Sequence, residues 1–136
     1  MKRKVFVDTD VIYDLLAKRD PFYLQSARLF TLADEGKIQI YISALSLPNI
    51  HYLVSKVKSA VEVKQILRKF KVIGHVTALN EKIIDLALNS DFSDFEDAIQ
   101  YYSALENNID VLITRNLKDY KKAQISVLTA HDFLNL

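Results

Sequence analysis

Strands that alternate with helices predict an α/β sandwich built on a mainly parallel central sheet, and three observations carry that prediction. Val5-Phe6-Val7 is an unbroken apolar run, the pattern of a strand buried on both faces, and it runs directly into Asp8-Thr9-Asp10. Val111-Leu112-Ile113 repeats the arrangement and ends in Thr114-Arg115-Asn116. Between the two runs, apolar residues recur mostly at helical spacing and are punctuated by Pro, Gly and capping residues. A length of 136 residues suits one domain spanning 1–136 with a substantial core.

The elements follow in order. After Asp10, the stripe Val11, Ile12, Leu15 and Leu16 predicts a first helix that ends before Pro21. Phe22 to Glu35 predicts a second, stopped by Gly36. Ile38 to Ile42 alternates apolar and polar as a strand does. Ser46-Leu47-Pro48-Asn49 reads as a helix start with Ser46 as cap, the helix continuing through Val57. Another helix begins near Val61, burying Val63, Ile66, Leu67 and Phe70 and turning Lys64, Arg68 and Lys71 outward. A short strand from about Val72 to Val76 follows, then a helix capped by Asn80 that carries Ile83, Ile84, Ala87 and Leu88. Ser93 with Glu96 three residues on forms a capping box for a helix to about Asn107, which buries Phe95, Ala98, Ile99, Tyr102 and Leu105. A last strand near Ile125 to Leu128 and a helical turn with Phe133 and Leu134 close the chain.

Composition narrows the function classes. A net charge of +1 provides no global basic field for nucleic acid or anionic lipid, so a polyanion needs a local patch or a metal ion. The absence of cysteine removes disulfides and thiolate metal sites and suits a reducing compartment. No apolar run approaches transmembrane length and none follows the basic start as a signal peptide requires, which predicts a soluble, cytoplasmic protein without a membrane role. His51, His75 and His131 show no metal-ligand spacing and read as structural.

The chemistry collects where two strands end. If both apolar runs are central and parallel, Asp8-Thr9-Asp10 and Thr114-Arg115-Asn116 share one edge of the sheet, where ligands of open α/β sheets bind. Asp97, in the first turn of the helix before the second run, can reach the same crevice. Asp10 either faces that crevice or caps the first helix; Thr114 either binds a ligand or satisfies backbone; Asn116 equally suits a turn. Clustered carboxylate and amide oxygens without thiolates suit Mg²⁺ or Mn²⁺, ions fitted to phosphodiester chemistry. Arg115, Lys118, Lys121 and Lys122 are the nearest phosphate contacts, and Tyr101 or Tyr102 can stack on bases.

Four motifs in order, Val-Phe-Val-Asp8-Thr9-Asp10-Val-Ile, Ile-Ser-Ala-Leu-Ser, Phe-Glu-Asp97-Ala and Ile-Thr114-Arg115-Asn116, resemble the PIN domain family, VapC-type toxins and their bacterial relatives above all. The resemblance covers nearly the whole chain. It implies a three-layer α/β/α sandwich and a Mg²⁺- or Mn²⁺-dependent endoribonuclease acting on RNA, often a homodimer, with a toxin member paired to an antitoxin protein. It assigns Asp8 as the first metal-binding acid and Asp97 as the third. Asn116 stands where many relatives carry Asp, with Asp119 three residues on as a substitute. Asn49 stands near where toxin-type relatives place a glutamate, and Asp10, Glu96 or Asp94 are the acids available to compensate. With two acids replaced by Asn, the resemblance also admits a catalytically weakened module that binds RNA or a protein partner.

Overall fold

The structure, a computed structural model, describes residues 2–136. Five strands, β1 (Arg3–Val7), β2 (Ile38–Ser43), β3 (Gly74–Thr77), β4 (Val111–Ile113) and β5 (Ser126–Leu128), form one sheet in the order β3-β2-β1-β4-β5. Every pairing is parallel, as the apolar runs predict. β1 is central, with β2 on one flank in the register Val5↔Ile40 and β4 on the other in the register Val7↔Ile113. The chain leaves β1 toward β2 and returns later on the opposite side, so the boundary between β1 and β4 is a topological switch point, where a crevice opens beyond the strand ends.

Period-two alternation divides the apolar residues between two faces. Val5, Val7, Ile40, Ile42, Val111 and Ile113 pack against α1 (Thr9–Leu16), α2 (Tyr23–Asp34), α3 (Ser46–Val54), α4 (Ala60–Ile73) and α7 (Ala130–Leu134). Phe6 and Leu112 point the other way, onto Tyr101 and Ala104 of α6 (Phe95–Glu106) and onto Tyr120 of a 3-10 turn, Leu117–Tyr120. Helix α5 (Glu81–Leu88) packs Ile83 and Ala87 on Ala98 and Ile99 of α6. The result is the three-layer sandwich. Val5, Phe6 and Val7 are each 0% exposed, contributing about 1.5–3 kcal/mol apiece through burial.

Several boundaries differ from the sequence expectation. The helix after Ser59 runs to Ile73, so Val72 is helical and 85% exposed, and β3 begins only at Gly74. Ser59 is its cap, accepting from the Glu62 amide. α3 ends at Val54, leaving Val57 outside it and exposed. Ser46 lies within α3, completely buried, and its hydroxyl meets the Thr9 hydroxyl at 2.6 Å instead of capping. Ser93 does not cap α6; Asp94 does, its Oδ1 accepting from the Asp97 amide at 3.0 Å. Phe95 and Leu105, expected inside, are exposed, and it is Tyr101 rather than Tyr102 that is buried. The caps at Asn80 and the stop at Gly36, whose φ is +76°, follow the prediction.

Candidate active site at the strand ends

Asp8 follows β1 directly, and its backbone N–H donates to the Ile113 carbonyl at 2.9 Å, carrying the ladder one step past both strands. Its extended backbone places it at the cap position of α1, yet its side chain caps nothing. The carboxylate turns instead into the switch-point crevice, only 6% exposed. There it accepts three hydrogen bonds: Oδ1 from Gln100 Nε2 at 2.8 Å, and Oδ2 from Thr114 Oγ1 at 2.8 Å and from the Tyr120 hydroxyl at 2.9 Å. Two of the donors are themselves held by backbone. Gln100 accepts from the Thr9 amide, and Thr114 accepts from the Asn116 amide. Buried donors of this kind hold a carboxylate in one orientation.

Asp97 occupies the first turn of α6, where the Asp94 cap fixes its backbone. Its Oδ1 lies 3.3 Å from the same Tyr120 hydroxyl. Burial, then the charges of Asp8, Asp94 and Asp119, push its carboxyl up to about 7. Asp10 is likewise pushed up to about 7, by burial first and by Asp8 next. Its Oδ2 accepts from Asn116 Nδ2 at 2.8 Å, whereas its buried Oδ1 has no partner. Asp10 therefore faces the crevice and does not cap the first helix.

The crevice, a cavity of about 280 Å³, is lined by Asp8, Asp10, Asp94, Glu96, Asp97 and Asp119, with Arg19 and Arg115 as its cations. Lys118, Lys121 and Lys122 do not line it, so the expected phosphate contacts reduce to Arg115. Lys122 instead borders a separate hollow with Phe92, Tyr101 and Tyr102. Asn116 enters as a donor toward Asp10. Asn49 lies in an adjoining hollow with Thr9, Tyr52, Leu53 and Glu96, its amide 3.4 Å from Glu96 Oε2. Glu96 lines both spaces beside Asn49, as an acid available to compensate and not as the capping-box partner of Ser93. Thr114 satisfies backbone as expected, accepting from the Asn116 amide, and its hydroxyl donates to Asp8, a contact the sequence did not predict.

Sequence reasoning missed Gln100, Tyr120 and the pairing of Asp14 with Arg115. Gln100 lies three residues after Asp97, on the same helical face, and that spacing was the available signal. Tyr120 had none, because the 3-10 turn that swings its ring under Phe92 is a tertiary feature.

Among the described residues, no three His, Asp or Glu side chains already converge on one ion position. The donors nonetheless fit a hard divalent cation. They are all oxygens, one buried carboxylate oxygen of Asp10 is unpartnered, and burial followed by the neighbouring acid charges raises the Asp10 and Asp97 carboxyls to about 7.

A family profile described as PIN domain matches residues 4–118. Ribonuclease VapC1 of Aquifex aeolicus is 28% identical over 134 residues, 96% of this chain and 92% of that protein. A toxin–antitoxin complex from Klebsiella pneumoniae contains a similar fold, with TM-score 0.69 and 22% identity over 93% of this chain and 97% of that one. VapC20 of Mycobacterium tuberculosis, a toxin cleaving the sarcin-ricin loop, matches with TM-score 0.61 and 18% identity over 79% of this chain and 86% of its own.

Proposed function

The chain belongs to the PIN domain family, and from that premise we propose that its strand-end crevice is the centre of a divalent-metal-dependent endoribonuclease. The observation that carries this reading is Asp8. A buried carboxylate fixed by three donors at a switch point, beside two further acids held near 7, is an arrangement that awaits positive charge.

Asp8 and Asp97 would hold Mg²⁺ or Mn²⁺, with the unpartnered Oδ1 of Asp10 turned toward the same space. Such an ion, when bound, neutralises charge developing on a phosphodiester and lowers the pKa of water. The protein groups have their own tasks. Gln100, Thr114 and Tyr120 orient Asp8. Arg115 at the rim meets an RNA phosphate. Glu96, paired with Asn49, provides the acid that Asn49 itself lacks, and Asp119 adds charge on the side where Asn116 is neutral. Attack of water on the phosphorus breaks one P–O bond; a crevice carboxylate takes the water's proton and solvent returns a proton to the departing ribose oxygen.

Purified protein incubated with single-stranded and hairpin RNAs tests this. Cleavage is expected with Mn²⁺ or Mg²⁺, absent with chelator and absent in Asp8→Asn; equal cleavage by both proteins contradicts it. By analogy with the Klebsiella complex, we extend the proposal to a toxin role with a protein antitoxin. Growth arrest on expression, relieved by a co-expressed neighbouring gene product, is the expected sign.

A second reading has one observation behind it. The Asn116 amide occupies Asp10 Oδ2, and Asp8 already has three donors, so the acids are partly satisfied without an ion. A module that binds RNA or a protein but cuts poorly would show RNA affinity with no measurable Mn²⁺ binding.

A further inference from the structure

Arg115 has two sides. One lines the acidic crevice; the other lines a cavity of about 290 Å³ between α1, the segment entering α2, and α7. We propose that this second cavity is a nucleobase pocket, which seats the base adjoining the phosphodiester presented to the acids. The inference rests on the ribonuclease reading of the crevice.

Arg115 Nε donates to Asp14 Oδ2 at 3.0 Å, and Asp14 is a carboxylate only 1% exposed. Its guanidinium carbon stands 4.6 Å from the Phe22 ring centroid. Held at Nε by a buried acid and lying over the Phe22 ring, the guanidinium is restrained at the wall between crevice and cavity. Unstacked RNA bases are recognised by such aromatic and guanidinium planes, with polar groups reading their edges. The remaining walls supply both parts: Val11, Pro21 and Ala130 are apolar, while Gln25 and the buried Ser26 offer an amide and a hydroxyl.

Size favours a single base. The cavity lies at the small end of ligand pockets, which start near about 300 Å³. Position favours RNA over an unrelated metabolite, because one residue bridges the cavity and the phosphate-binding crevice. A cation that lines both spaces can contact a phosphate on one side while its plane meets the attached nucleoside on the other. Cavity and crevice then select sequence and perform chemistry separately.

The test is an amide ¹H–¹⁵N spectrum of the metal-free protein titrated with AMP, CMP, GMP or UMP, with ribose 5-phosphate as the base-free probe. The expected result is a saturable shift at the Phe22, Gln25, Ser26 and Ala130 amides, larger for one base than the others and absent with ribose 5-phosphate. Phe22→Ala weakens that binding about tenfold. Gln25→Ala changes which base is preferred, in the titration and at the cleavage site of a mixed-sequence RNA, while calorimetric Mn²⁺ affinity stays as in the wild type. Shifts confined to the crevice, or equal shifts with ribose 5-phosphate, overturn the pocket. So does occupancy of these amides by a protein partner when nucleotides leave them unmoved. RNA cleavage with an unmoved pocket removes this inference and leaves the nuclease standing; nucleotide-induced shifts without any cleavage uphold the pocket and count against the nuclease.

Discussion

The Tyr120 hydroxyl donates to Asp8 Oδ2 at 2.9 Å, and at 3.3 Å from Asp97 Oδ1 it also stands between the two acids. Tyr120 is 3% exposed, and burial followed by the charge of Asp8 raises its pKa, so the phenol stays protonated and remains a donor. One residue of a 3-10 turn thus spaces the acid that ends β1 from the acid that opens α6. Tyr120→Phe removes a donor to a buried charge without opening a cavity. Urea unfolding of the metal-free protein is expected to show a loss of about 1.5–3 kcal/mol, together with weaker Mn²⁺ binding; an unchanged midpoint and affinity would show that the contact positions nothing.

The raised carboxyls give a pH dependence whose sign is set. Asp10 and Asp97 ionise near 7 in the folded state and near the ordinary carboxylate value when unfolded. Between those values the folded protein holds more protons, so stability is greatest below the unfolded value and is lost as pH rises through about 7. Thermal melting of the metal-free protein is therefore expected to be higher near pH 5 than near pH 8. Mn²⁺ should close the gap by stabilising most at the higher pH, where the acids are ionised. A melting point that rises with pH in the absence of metal would contradict the burial and mutual repulsion that raise these carboxyls.

Asn116 is the residue that keeps Asp10 partly satisfied, through the 2.8 Å amide contact to Oδ2. Asn116→Asp replaces that donor with a like charge. The metal-free protein should lose stability at neutral pH, and Mn²⁺ affinity should rise because the site gains a charge. Calorimetry beside melting separates the two effects; a substitution that weakens Mn²⁺ binding would mean that position 116 does not face the ion.

Arg115 compensates a buried carboxylate. Asp14 has its pKa raised by burial and restrained by Arg115 and then Arg19, whose Nε lies 3.8 Å away. Arg115→Ala leaves Asp14 with the more distant, exposed arginine alone, at a cost of about 3 kcal/mol at neutral pH. The cost should shrink in acid, where Asp14 takes a proton. RNA binding should weaken and lose about one unit of its salt slope. A pH-independent cost would show that Asp14 is not the reason Arg115 matters to the fold.

How far the site was legible depends on range. Asp8, Asp10, Thr114 and Asn116 could be read because strand ends are local features, and a parallel sheet with β1 and β4 adjacent brings them together. Asp97 was legible as a residue of a first helical turn. Its cap was assigned one residue early, to Ser93 rather than Asp94, because both residue types cap helices and only the chain path decides. Glu96 was misjudged for the same reason: once Ser93 is not the cap, Glu96 has no capping partner and turns toward Asn49. Strand β3 was placed early because Val72 and Ile73 are β-branched, and packing of the preceding helix overrode that preference. Gln100, Tyr120 and Asp14 are polar groups in long-range contacts, which periodicity does not record.

The proposed nuclease requires Asp8, Asp97 and Asp10 to share one divalent ion. Anomalous scattering from a crystal of the protein soaked in Mn²⁺ tests it most directly. A single strong peak is expected at the mouth of the β1–β4 crevice, within coordination distance of Asp8 and Asp97 and lost in Asp8→Asn. Mn²⁺ bound elsewhere, or an empty crevice in crystals of a protein that cleaves RNA, would contradict it.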